Sequence, residues 1–69
     1  MRDIDCWRKV LDIIEKKSKN PEYLVITSAG HDQIWINLSE EEVPEDSEDG
    51  KFLNDAGFFI DDEAWSCFV

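Results

Sequence analysis

The sequence predicts an α+β fold: an N-terminal helix packed on a three- to four-stranded antiparallel sheet, with a short second helix. Three observations carry this. Apolar residues recur at helical spacing near the N-terminus, and short alternating runs rich in β-branched and aromatic residues follow, separated by turn residues. The third is size: 69 residues with 42% hydrophobic and 12% aromatic content make one small domain with enough apolar surface to fold.

Residues 3–19 read as the helix, with Ile4, Trp7, Val10, Leu11 and Ile14 on its apolar face. Asp3 or Asp5 is placed to cap its start, where a carboxylate also complements the helix dipole. Lys16, Lys17 and Lys19 fall in the last turn, and Asn20-Pro21 stops it. Glu22–Ser28 (containing Tyr23, Val25, Ile26 and Thr27) is expected as a strand, Ala29–Asp32 as a turn, and Gln33–Leu38 as the returning strand. Ile34, Ile36 and Leu38 alternate on one face of that strand, which sends Trp35 to the other.

Residues 39–51 form an acidic loop, interrupted by Pro44 and held in water by its charges. Ser47 or Asp49 then caps a short helix through Phe52, Leu53 and Ala56, ended by Gly57. Phe58–Ile60 and Ala64–Val69 read as a second hairpin around Asp61-Asp62-Glu63. On this pattern Tyr23, Trp35, Phe59 and Phe68 gather on the sheet face turned away from the long helix. That face is expected to lie under the short helix, to leave Trp35 simply half-exposed, or to be an interface for a partner or a second copy, giving a homodimer through the sheet face.

Charge is the most informative property. The formal net charge is −10, from 17 acidic and 7 basic residues. Residues 1–20 carry six basic and four acidic side chains, whereas 21–69 carry one basic and thirteen acidic. Between 40 and 63 stand Glu40, Glu41, Glu42, Glu45, Asp46, Glu48, Asp49, Asp55, Asp61, Asp62 and Glu63, offset there by Lys51. Solubility needs a net charge of only ~2–8 in a small domain, and the surplus works against compactness. Such a surface repels nucleic acid and anionic membranes, so neither is an expected direct partner.

Other chemistries fit poorly. In an EF-hand-like loop starting at Glu45, the twelfth position needs a bidentate Glu and holds Ala56. Cys6, Cys67 and His31 lack zinc-ligand spacing, and no oxyanion-hole motif accompanies them as a nucleophile pair. Catalytic residues, metal and cofactor are therefore all expected to be none. The two cysteines suit buried thiols in a reducing compartment better than a secreted, disulfide-held domain. With no membrane-length apolar run and no signal-peptide core, a cytoplasmic location in a host cell is expected.

Carboxylates on alternate strand residues lie ~6.6–6.8 Å apart, and one helical turn rises ~5.4 Å. Both intervals are close to phosphate separations along a nucleic-acid strand. In size, in charge, and in the run Ser39–Asp49 with Asp61-Asp62-Glu63, the chain resembles small acidic phage-encoded inhibitors that mimic DNA, of anti-CRISPR, anti-restriction and uracil-glycosylase-inhibitor type. The resemblance is one of class and carries no residue roles. It implies a non-enzymatic inhibitor whose partner is a basic nucleic-acid-binding protein or complex; the charge and alternation of this sequence, rather than the resemblance, point to the eleven carboxylates above together with Trp35 as the contact. The alternative is an immunity- or antitoxin-like, or regulatory, protein-binding module anchored by aromatic side chains such as Trp35 or Phe68.

Overall fold

The structure, a computed structural model, describes residues 3–22 and 25–68. Its elements run α1 (Ile4–Lys17), β1 (Ile26–Ala29), β2 (Gln33–Ser39), α2 (Glu48–Asp55), β3 (Phe59–Asp61) and β4 (Ala64–Phe68). The four strands form one antiparallel sheet in the order β1-β2-β4-β3, so the fold is α+β as the sequence predicts.

Helix α1 starts where Asp3 accepts a hydrogen bond from the Cys6 amide (2.9 Å), which settles the choice between Asp3 and Asp5. Its buried positions are Val10, Ile13 and Ile14, with Cys6 and Trp7 partly covered. Ile4 (71% exposed) and Leu11 (45%) stay in solvent, contrary to the apolar face expected from their spacing. The reason is angular. At about 100° per residue, Ile4 and Leu11 lie ~100–120° around the helix from Val10, beyond the arc that meets the sheet.

Strand β1 is shorter than the expected 22–28. It begins at Ile26, its described residues are exposed, and a bulge shifts its register on β2 between Ile26 and Ser28. Tyr23, which belongs to that expected strand, and Leu24 lie outside the described residues.

The turn between β3 and β4 places Asp62 and Glu63 at positive φ (55° and 64°), the backbone of a two-residue primed hairpin turn without the usual Asn-Gly. Helix α2 is capped by Ser47, whose Oγ accepts from the Gly50 amide at 3.0 Å. It closes on Gly57 (φ 95°), with the Phe58 amide reaching back to the Leu53 carbonyl at 2.8 Å.

The core lies between the helices and one face of the sheet. Val10, Ile13 and Ile14 of α1, Leu53 of α2, Ile36 and Leu38 of β2, and Trp65 and Cys67 of β4 are all buried there with Val43, Ala56 and Phe58. Trp7 meets Phe58 edge-on (5.7 Å, 81°), and Lys9 Nζ sits 4.5 Å above the Phe52 ring, joining α1 to the α2 region. Both cysteines are free thiols; Cys67 is buried and Cys6 half-buried.

Val43 corrects the expectation of a wholly solvated acidic loop. It is 1% exposed and part of the core. Ser39 and Glu42 cap one another: the Ser39 amide donates to Glu42 Oε1 (2.9 Å) and the Glu42 amide to Ser39 Oγ (3.2 Å). The Val43 amide then closes one helical turn on the Ser39 carbonyl (3.0 Å), which drives the valine inward and leaves its acidic neighbours outside.

Candidate functional site

Two surfaces contain the residues the sequence singles out: an acidic rim and the outer face of the sheet. The rim begins at the β2 end. The Glu40 amide donates to the Glu63 carbonyl (3.0 Å), and Ser39, Glu40, Glu41 and Glu63 line one shallow depression. Asp62 adjoins Glu63 in the β3–β4 turn. A second depression, lined by Lys17, Glu42, Val43, Pro44, Ser47, Glu48 and Asp49, carries the carboxylates on to the start of α2. Glu40, Glu41, Glu45, Asp46, Glu48, Asp62 and Glu63 are exposed. Glu48 and Asp49 occupy the first turn of α2, where negative charge is favoured by the unpaired amides.

Three of the eleven carboxylates stand apart. Asp55 is exposed in the last turn of α2, ~10 Å along the helix from Glu48 at 1.5 Å per residue. Asp61 lies on the outer sheet face, where its Oδ2 accepts from Gln33 Nε2 at 2.8 Å. Glu42 is a structural residue: besides the Ser39 amide it accepts from the Lys19 amide at 2.6 Å, tying the end of α1 to the 39–43 turn. The signal for it was present in the sequence, since Ser39-Glu40-Glu41-Glu42 has the spacing of a capping box. Glu42→Gln is expected to cost about 1–2 kcal/mol of stability, because two amides lose an ionised acceptor. A urea titration measures this, and Glu45→Gln, whose side chain points into solvent, is the matched control with no change.

The basic N-terminal segment is not remote from the rim. Lys19 Nζ is 4.0 Å from Glu41, both side chains exposed, and Lys17 lines the depression with Glu48 and Asp49. An exposed pair of this kind contributes ~0–1 kcal/mol. Its effect is on the field: the rim is partly offset beside α1 and undiluted from Glu40 through Glu63 and Asp62. Among the described residues, Glu41 is the one rim carboxylate in an ion pair.

The outer face of the sheet gathers three of the four aromatic side chains that the alternation predicts, the fourth, Tyr23, lying outside the described residues. Trp35 of β2, Phe59 of β3 and Phe68 of β4 share it with Gln33, Asp61 and Ser66, and the Phe59 and Phe68 rings are 5.1 Å apart. The short helix does not cover them, because Leu53 and Phe52 pack on the same side as α1. Trp35 lies across the neighbouring strand. Its Nε1 donates to the Asp61 carbonyl (3.2 Å) on β3, two strand spacings or about 9.6 Å away, so the indole spans β4. The position beneath is Ser66, fully buried although no helix lies over it. Its Oγ accepts from Gln33 Nε2 (3.0 Å) and donates to the Phe59 carbonyl (3.3 Å).

No group of three or more His, Cys, Asp or Glu side chains among the described residues is arranged to hold a metal ion. No helix among them is long and apolar enough to cross a membrane. Compared with known proteins, the chain matches no family model, no curated protein and no solved structure.

Proposed function

We propose that the chain is a non-enzymatic inhibitor that binds a basic nucleic-acid-handling protein or complex by offering carboxylates where that partner expects phosphates. The observation that carries this reading is the concentration of carboxylates at the two depressions, Glu40, Glu41 and Glu63 at one and Glu48 and half-buried Asp49 at the other, with exposed Asp62, Glu45 and Asp46 next to them in the chain. The scale agrees. The molecule is 28 Å in its longest dimension, and a duplex of that length carries about 16 phosphates at one per ~1.7 Å of axis. Residues 21–69 hold thirteen carboxylates against one cation, eight of them assigned to the rim, about the number of phosphates that one side of such a duplex presents. Attraction to a groove lined by Lys and Arg follows, with fast, salt-sensitive association. An anti-defence role in a phage, of anti-CRISPR type, and action in the cytoplasm of a host cell fit this chemistry.

A second reading, an immunity-like or regulatory binder, is favoured by the aromatic sheet face, since aromatic anchors dominate such interfaces. The two separate in one experiment. The tagged chain is used as bait in a bacterial lysate at low and high salt, beside a variant with Glu40, Glu41, Glu45, Asp46, Glu48 and Asp49 amidated and Glu42 kept. Recovery of a Lys/Arg-rich nucleic-acid-binding complex, lost in high salt and with the variant, is expected. A partner that survives both and is lost with Trp35→Ala would replace the first reading by the second.

A further inference from the structure

We infer that the outer sheet face is a seat for arginine side chains of a basic protein partner, with Trp35, Phe59 and Phe68 as the stacking surface and Asp61 as the adjoining anion. The inference rests on the proposed reading in one respect, that the partner is basic. Its own support is separate from the acidic rim. Trp35 is tied to β3 by its bond to the Asp61 carbonyl, and Phe68, 59% exposed, packs against Phe59. This gives a pre-formed aromatic platform, whose rotamers need little further ordering on binding.

The charge of the face selects its occupant. Strands β1 to β4 contain no Lys or Arg at all; apart from Lys51, every cation of the chain lies in residues 1–20. An aromatic sheet used to stack nucleobases needs cations for the accompanying phosphates, and this one has carboxylates instead. A second copy would bring Asp61 and its neighbours Asp62 and Glu63 against their own kind. Three aromatic side chains also supply at most roughly 450–750 Å², below the ~800 Å² per partner of a standard interface. The occupant must therefore continue onto neighbouring surface, and that surface is the rim, reached directly through Asp61, Asp62 and Glu63. A guanidinium suits both parts: it stacks on aromatic faces and forks to a carboxylate, whereas an ammonium does the first less well and the second as a point charge.

The test uses the full ¹⁵N-labelled chain and two synthetic peptides of equal length, alternating Gly-Arg and Gly-Lys, followed by amide and indole NMR shifts. Expected is a shift of the Trp35 indole and of the Phe59 and Phe68 amides with the arginine peptide, bound about two- to fivefold more tightly than the lysine peptide. Phe68→Ala, at an exposed side chain, and Trp35→Ala should each remove the preference while leaving salt-sensitive shifts at the rim. Shifts confined to residues 40–49 and 62–63, equal for both peptides, would overturn the inference and leave the acidic reading standing. Shifts at Trp35 on changing protein concentration without peptide would assign the face to a second copy instead. No binding of either peptide would overturn both.

Discussion

Trp65→Ala is expected to remove most of the stability of this protein, by about 3–5 kcal/mol. A domain of 69 residues holds roughly 3–10 kcal/mol in all at ~0.05–0.15 kcal/mol per residue. Trp65 is fully buried on the inner face of β4, among the side chains of both helices, and its Nε1 donates to the Val43 carbonyl at 2.8 Å. Truncation therefore does two things. It opens a large cavity at the centre of the core, and it leaves the buried Val43 carbonyl without its indole donor. Trp65→Phe separates them: the ring fills much of the space, and a loss of about 1–3 kcal/mol is expected from the orphaned acceptor and the residual void. Urea titrations followed by far-UV circular dichroism measure both. Because Val43 belongs to the acidic segment, the same bond fixes the base of the rim, so loss of Trp65 also loosens the surface proposed to bind.

Gly50→Ala is expected to cost about 2–4 kcal/mol, through backbone rather than side-chain contact. A β-carbon there would stand 2.1 Å from the Pro44 carbonyl oxygen and 2.8 Å from that of Glu45. Neither neighbour is a flexible side chain. Pro44 is held by the Ser47 amide (3.0 Å) and hydroxyl (2.6 Å), which both donate to its carbonyl, so relief must come from opening the Ser47 cap. The control is Gly30→Ala. Its β-carbon would meet only the Trp35 ring at 4.0 Å, at a φ outside the left-handed region, and the change is expected to be neutral or stabilising by up to ~1 kcal/mol. Thermal and urea midpoints of the two variants, measured side by side, check the contrast.

Much of the fold was legible because local chemistry and packing agree. Asp3 and Ser47 cap the helices, Gly57 ends the second, and Ile34, Ile36 and Leu38 set which way β2 faces. The alternation of side chains was enough to gather Trp35, Phe59 and Phe68 on one surface. What escaped a reading of pattern was the acidic segment. Charge density alone makes 39–51 look solvated throughout, yet one capped turn at Ser39–Glu42 delivers Val43 to the core and commits Glu42 to the backbone of Lys19. Segment totals divide the cations of residues 1–20 from the carboxylates only along the sequence, and the end of α1 brings Lys17 and Lys19 to the rim's edge. Such contacts depend on where the elements meet in space. Of the twelve residues the sequence assigns to partner binding, the structure sets Glu42 apart as structural and Asp55 as distant, and it moves Asp61 to the aromatic face beside Trp35.

The direct test of the central claim is competition. A partner captured by the chain is incubated with a fluorescent duplex it binds, and the chain is titrated in at several salt concentrations while anisotropy is read. If the rim takes the place of phosphates, the duplex is displaced completely, the apparent affinity falls steeply with salt, and the variant amidated at Glu40, Glu41, Glu45, Asp46, Glu48 and Asp49 displaces nothing. A stable complex of chain, partner and duplex together, or displacement undiminished by the amidated variant, would contradict mimicry.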